Sequence, residues 1–243
     1  MLAVLVLAID TTSPSGSVAL LRDAQLLGVV FAAAEEPYSS RLFRQIDFLL
    51  AELSIKMPDV DLYSVAAGPG SFTGVRISLT AVKGWAEVYG KPAVAVSALE
   101  ALAEQAPASA TLVAAVSDAR RGQLYAGLYE RSGEVFQRRG EDVVMSPGEC
   151  FAYLAARQRE VESCGAAANV EMLFVTAQPG WFLSLSKDSP YCGVRIQAVS
   201  PVLAPAVGRL GYARALRGEV SDAASLDAHY VRRSDAEMLW KEQ

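Results

Sequence analysis

Apolar residues fill positions 2–9 almost without interruption and stop at Asp10. A run of that length ending at a polar turn predicts a strand buried on both faces, in the middle of a sheet. Residues 11–16 are rich in Thr, Ser, Pro and Gly and predict the turn; 17–21 and 26–32 predict two more strands joined through 22–25, so the chain opens as a three-stranded meander. The period then changes. Leu42, Ile46, Leu49, Leu50 and Leu53 recur at helical spacing and predict an amphipathic helix over 39–54, with Ser39 or Ser40 available as its cap. A short buried strand over 62–67, a glycine turn at 68–70 and a second helix over 71–89, stopped by Gly90 and Pro92, come next. Residues 93–96 predict a further strand and 98–105 a further helix.

The pattern then starts again. Residues 106–110 (APASA) are small and contain proline, as expected of a hinge between two domains, 1–107 and 108–243. After it, an apolar strand over 111–117 ends at Asp118, a polar turn follows, and 123–130 and 135–138 predict strands. Asp118 followed by Gly122 and a strand is the counterpart of Asp10 followed by Gly16 and a strand, an internal duplication at a spacing of about a hundred residues. Helices are predicted over 146–158, with Ser146 as cap and Pro147 at the first position, and over 205–217. The last helices could pack back on the first domain. Residues 164–191 show no period and receive no assignment.

Composition narrows the function classes. The chain has 243 residues, 52% of them hydrophobic and 20% charged, which suits a packed core rather than disorder. A net charge of −5 gives no overall attraction for phosphate backbones, so contact with RNA would need a local basic patch or a partner. Cys150, Cys164 and Cys192 form no CxxC pair and are odd in number, as suits a reducing compartment. The opening apolar run lacks a basic flank and is too short to span a membrane. A cytoplasmic location with no membrane contact is expected. With one histidine, His229, no His-rich metal centre can be built; no GxSxG pattern supports a hydrolytic triad, so no metal site and no catalytic residue are assigned.

The candidate chemistry sits in Ala67-Gly68-Pro69-Gly70-Ser71-Phe72-Thr73-Gly74-Val75-Arg76. Gly68 and Gly70 permit a tight turn, and Ser71 or Thr73 can cap the helix that follows. Helix-start N–H groups with hydroxyls and Arg76 one turn in could instead cradle an anion, although Val75 and Arg76 stand where a Walker A loop has Lys and Ser or Thr. Asp10 and Asp118, at strand ends, either cap their turns or help hold a metal–nucleotide complex. Gly68, Gly70, Ser71, Thr73 and Arg76 with Asp10 and Asp118 are therefore the candidates for nucleotide or anion binding. Gly74, Ser78 and Ala81 form a small-residue stripe on the second helix, suited to core packing or to close approach of another helix. Joined to Leu42, Ile46, Leu49 and Leu53 it makes a candidate partner interface, to which Trp85 is added. Residues 230–237 turn charged, either a solvated end or a segment that docks on a partner.

AGPGSFTGVRI (67–77), continuing to Lys83-Gly84-Trp85-Ala86, resembles the signature of the TsaB family, also called YeaZ. LAIDTTSPSGSVAL (7–20), DARRGQLYAGLY (118–129) and HYVRRSD (229–235) are similar to further family blocks in the same order, so the resemblance spans nearly the whole chain. It implies the duplicated α/β fold of actin, sugar kinases and Hsp70 (ASKHA), two mixed-sheet domains each starting with a three-stranded meander. It implies a non-catalytic partner subunit that binds TsaD, with the ATPase TsaE joining, for threonylcarbamoyladenosine modification of the tRNA adenosine beside the anticodon. The TsaD contact is implied to be a helical bundle of the first two helices of each subunit, with a homodimer as the arrangement open to the free chain and tRNA met only through the complex. No cofactor is required by this reading, although ATP or ADP could be shared at the interface. TsaD holds its metal through an HxxxH motif on the first helix; here that place reads Tyr38-Ser39-Ser40-Arg41-Leu42, with neither histidine, so glycoprotease activity is not expected. Tyr38 stands where many relatives carry His, a change expected to alter dimer packing. Two other readings follow from the same residues: an ATP-binding phosphotransferase using Asp10, Asp118 and the 68–74 loop, and a self-associating structural homodimer.

Overall fold

The computed structural model describes residues 3–32, 36–133, 135–163, 170–187 and 192–231. The chain forms two compact units, one made of Met1–Ala101 with Pro201–Gln243 and one of Leu102–Ser200.

In the first unit, β1 (Leu5–Asp10), β2 (Ser17–Arg22) and β3 (Gln25–Phe31) form an antiparallel meander, and β4 (Leu62–Ala66) and β5 (Ala93–Val96) extend it as parallel strands in the order β3-β2-β1-β4-β5. Val6, Leu7, Ala8 and Ile9 have no exposed surface, as expected of a strand covered on both faces. Successive residues of β1 and β4 point to opposite faces. Leu7, Ile9, Tyr63 and Val65 meet α1 (Tyr38–Glu52) and α2 (Phe72–Tyr89), whereas Ala8 and Ser64 meet α6 (Ala204–Leu216).

The sequence places 108–243 in a second domain and leaves open that the last helices pack back on the first; the second unit stops at Ser200, and α6 belongs to the first unit. The reason is the small face of α6. A side chain at Gly208 would meet Leu21 and Ala8, and one at Gly211 would meet Ser64, so only glycine lets this helix lie directly on the sheet. Ser64 Oγ donates to the Val207 carbonyl at 2.7 Å, and Arg214 pairs with Glu100 at 2.5 Å. Beyond α6, Ser221 bridges to Ala93 on the edge of β5, and His229 N donates to the Ala67 carbonyl at 2.8 Å.

The second unit repeats the plan. The antiparallel set is β6 (Leu112–Asp118), β7 (Leu124–Ser132) and β8 (Val135–Arg138); β10 (Met172–Thr176) and β11 (Ile196–Ala198) add on in parallel to give β11-β10-β6-β7-β8, and β9 (Val143–Met145) pairs with β7. α3 (Ala98–Ala103) precedes this sheet, and α4 (Pro147–Ser163) and α5 (Pro179–Ser186) cover a core of Leu112, Val116, Leu128, Phe151, Leu154, Phe174 and Phe182. β10 and α5 both fall in the stretch without sequence period. β10 is five consecutive buried residues, and an all-buried run has no alternation to read.

Most helix ends lie within one or two residues of the expected ones. Ser71 is the cap of α2, its Oγ accepting from Gly74 N, and Gly90 ends the helix in the left-handed conformation. For α1 the expected serine cap is absent: the helix starts after Pro37, with no side-chain cap, and Ser39 and Ser40 lie inside it.

Candidate functional site

The glycine turn is packed against the β1–β2 turn of its own sheet. A Cβ on Gly70 would lie 2.4 Å, and one on Gly74 1.9 Å, from the backbone oxygens of Thr12 and Thr11. Thr11 Oγ1 donates to the Gly74 carbonyl at 2.7 Å, and Ser71 N donates to the Thr12 carbonyl at 2.7 Å. Gly68, at φ +115°, clears the His229 carbonyl, which would lie 2.7 Å from a side chain there. The N–H groups of Ser71, Gly74 and Val75 are thus spent on Thr12 and Ser71. Thr73 and Arg76 are exposed, with the Arg76 guanidinium 3.8 Å from the centre of the Phe72 ring and its Nε donating to the Tyr230 hydroxyl at 3.2 Å.

Asp10 is sealed. Its Oδ1 accepts from Thr12 N at 2.9 Å and from Thr12 Oγ1 at 2.6 Å, closing a turn on itself, and its Oδ2 is buried with no hydrogen-bond partner among the described residues. Asp118 does the same in the second unit: Oδ1 accepts from Arg120 N at 2.7 Å, and Arg120, Arg121 and Gly122 all take positive φ. Both aspartates therefore cap the turn after the first strand of their unit.

Tyr38, at the start of α1, points inward. Its hydroxyl accepts from Gly16 N and shares its proton between the carbonyls of Ser13 (2.8 Å) and Pro14 (3.0 Å). The buried Arg41 guanidinium lies 4.0 Å from the centre of the Tyr38 ring and donates to the carbonyls of Ala32 (2.6 Å) and Pro14 (3.0 Å). Together they fasten the first helix to the turn at 13–16.

The outer face of α1 and α2 is different. Phe43, Ile77, Ala81, Trp85, Val88 and Tyr89 line a groove of about 890 Å³, with Ser39, Thr73, Arg76 and Thr80 as its polar members. Val88 is 74% and Phe43 50% exposed, and the Phe43 ring stands edge-on to Trp85 at 5.9 Å. Trp85 also packs against Tyr63 in the core at 6.0 Å, which holds it in place from below.

A family described as TsaD, tRNA N6-adenosine threonylcarbamoyltransferase, matches residues 20–202. The tRNA threonylcarbamoyladenosine biosynthesis protein TsaB of Bacillus subtilis is 33% identical over 156 residues, which are 64% of this chain and 68% of that protein. The chain belongs to the TsaB/YeaZ family. Escherichia coli TsaB is 34% identical over 128 residues, 52% of this chain and 55% of its own length. The structure of YeaZ from Pseudomonas aeruginosa superposes with a TM-score of 0.74 at 27% identity, over 93% of this chain and 99% of that one. The ASKHA fold, with its two meander-led sheets, is the architecture of this TsaB-family chain.

Most of the expected interface residues face inward. Leu42, Ile46, Leu49, Gly74 and Ser78 are buried in the core of the first unit, and Leu53 packs against it, because they form the stripes that cover the sheet. Of that set, only Ala81 and Trp85 reach the groove. Tyr38, expected to act on dimer packing, binds the 13–16 turn of its own chain. Phe43, Ile77 and Val88, outside the set expected from the sequence, line the groove too, and α2 carries the signal of its two: 77, 81, 85 and 88 form a second helical stripe beside 75, 79, 82 and 86.

In this TsaB-family chain no group of three or more His, Cys, Asp or Glu among the described residues could hold a metal ion, and no described helix is long and apolar enough to cross a membrane. Burial pushes the Asp10 carboxyl up from 3.8 to about 6, against the opposing hydrogen bonds from Thr12. Because the folded state holds this proton more tightly than the unfolded one, the contribution of Asp10 to stability is lost as pH rises from about 4 through about 6, by about 3 kcal/mol. Asp10→Asn should therefore match the parent near pH 4 and melt several degrees above it at pH 7, measured by calorimetry across that range. A constant difference between the two would exclude ionisation of Asp10 as the cause.

Proposed function

We propose that the chain is a non-catalytic subunit that docks on TsaD through the groove face of α1 and α2. TsaE joins this pair, and TsaD carries out the threonylcarbamoyl transfer to the adenosine beside the anticodon. The observation that carries the reading is the exposed aromatic and aliphatic groove formed by Phe43, Trp85 and Val88 with a polar rim. A contiguous apolar patch anchored by aromatic rings is the surface type used for protein contacts. The relatives named for threonylcarbamoyladenosine biosynthesis support the pathway, and the match to a family described as TsaD supports kinship with the proposed partner.

tRNA is reached only through the complex, in keeping with the acidic balance of the chain, and the site of action is the cytoplasm. No nucleotide is needed for the docking role. A phosphotransferase reading is the less favoured one, since the N–H groups of Ser71, Gly74 and Val75 are engaged by Thr12 and Ser71 and Asp10 has no exposed surface. Nucleotide shared at the interface with TsaD, and pairing of free copies through the same groove, are compatible with the proposal.

Mixing the chain with TsaD from the same source should give a one-to-one complex in size-exclusion chromatography, and tRNA modification reconstituted from purified components should depend on adding it. Failure to form a complex at micromolar concentrations would sink the reading. Heat released on titrating magnesium ATP into the free chain would revive the phosphotransferase alternative.

A further inference from the structure

The groove draws on α1 at one end only. Ser39 and Phe43, in its first two turns, are what α1 gives to the lining, and the remaining lining residues belong to α2. Where α1 starts therefore sets the width of the groove. That start has little of its own to hold it. Pro37 precedes it, no side chain caps it, and the first N–H groups of a helix have no partner within the helix. α2 begins differently, with Ser71 Oγ accepting from Gly74 N.

Both starts rest on one turn, residues 11–16 between β1 and β2. The turn is closed by Asp10, whose Oδ1 accepts from Thr12 N at 2.9 Å and from Thr12 Oγ1 at 2.6 Å, and by the strand pair of Asp10 with Ser17. α2 takes its first residues: Ser71 N donates to the Thr12 carbonyl and Thr11 Oγ1 to the Gly74 carbonyl, each at 2.7 Å. α1 takes the rest. The Tyr38 hydroxyl accepts from Gly16 N and shares its proton between the carbonyls of Ser13 and Pro14. Arg41 donates to the same Pro14 carbonyl at 3.0 Å and to the Ala32 carbonyl at 2.6 Å. Along α1 the residues that grip the turn, Tyr38 and Arg41, alternate with those that line the groove, Ser39 and Phe43. Moving one pair moves the other.

We propose that the 11–16 turn is the common seat of both groove helices, and that Tyr38 and Arg41 are positioning residues that set where Ser39 and Phe43 stand over α2. Resting on the partner reading above, we add that this placement sets the affinity for TsaD. Neither side chain lines the groove, so the effect on a partner is indirect. A chain whose α1 start is seated only part of the time binds with an affinity reduced by the seated fraction.

Tyr38→Phe keeps the ring beside Arg41 and removes only the hydroxyl. In the full chain, amide hydrogen exchange should quicken over 11–16 and 39–46 and stay unchanged over 72–89. Affinity for TsaD should fall by about three- to tenfold, the range for one lost net hydrogen bond. Arg41→Lys should act in the same direction, because a single ammonium does not reproduce the fork that reaches two carbonyls. Ile46→Val, a core change on the same helix that leaves the contacts with the turn in place, is the control for lost stability. Measured well below every melting temperature, it should bind TsaD as the parent does. Unchanged exchange over 39–46 in both Tyr38→Phe and Arg41→Lys overturns the seat. Faster exchange with parental affinity overturns its role in docking, as does an Ile46→Val chain weakened as much as Tyr38→Phe. The two readings fail separately: if the parent itself does not bind TsaD, the partner reading falls, and exchange alone upholds or overturns the seat.

Discussion

Placing a carboxylate at Val88 should weaken the complex with TsaD by about 100-fold or more while leaving the chain's own melting temperature nearly unchanged. Val88 is 74% exposed on α2, so Val88→Glu removes little folding free energy. In a docked groove the same charge would be desolvated beside Phe43 and Trp85, with no cation among the groove residues nearer than Arg76, at the other end of α2. Burying an unpaired charge at the centre of an interface costs about 3 kcal/mol or more, which is the expected loss. Phe43→Ala should act in the same direction and more weakly, since it removes the edge contact with Trp85 without adding charge. Titration calorimetry against TsaD and a thermal scan of the free chain read the two effects separately. Unchanged affinity in Val88→Glu would place the contact on another face.

Gly74→Ala should do the opposite, damaging the fold before any interface. The added methyl would sit 1.9 Å from the Thr11 carbonyl oxygen, a backbone atom with no side-chain freedom to yield. The start of α2 would have to move off the β1–β2 turn, breaking the bonds from Thr11 Oγ1 to Gly74 and from Ser71 N to Thr12. A loss of about 3 kcal/mol is expected, the upper end of the usual overpacking range. Urea unfolding would show it as a lower midpoint with an unchanged slope. A stable Gly74→Ala with altered mass in light scattering would instead mean that this inward stripe is an intermolecular contact.

These two substitutions mark where reading the sequence stops. Both stripes of α2, 75/79/82/86 and 77/81/85/88, are apolar at helical spacing, and a hydrophobic pattern records that two faces are buried or sticky without saying which one the sheet takes. α1 poses the same problem, with Leu42 beside Phe43 and Leu49 beside Phe48; the first of each pair is core and the second is half exposed or more. The glycines were equally ambiguous. Gly70 and Gly74 mark close approach in either reading, and only their neighbours identify the approaching group as the chain's own Thr12 and Thr11 rather than a phosphate or another helix.

What the amino-acid order determined by itself was local or repeated. The buried first strand, the meander, the Gly90 stop of α2 and its cap narrowed to Ser71 or Thr73, the Asp10 and Asp118 repeat and the family blocks all follow from neighbouring residues whose period, capping groups and turn chemistry act over a few positions. Tertiary structure alone decided the allegiance of α6, because its seat depends on Gly208 and Gly211 meeting Leu21 and Ser64, partners more than 140 residues away. It alone decided that Tyr38 and Arg41 fasten the 13–16 turn, and that β10 and α5 complete the second unit. Above all it decided which stripe of the first two helices remains outside. The sheet can cover one face of each helix, and packing at Leu7, Ile9, Tyr63 and Val65 takes that face, leaving Phe43, Trp85 and Val88 to line the outer groove.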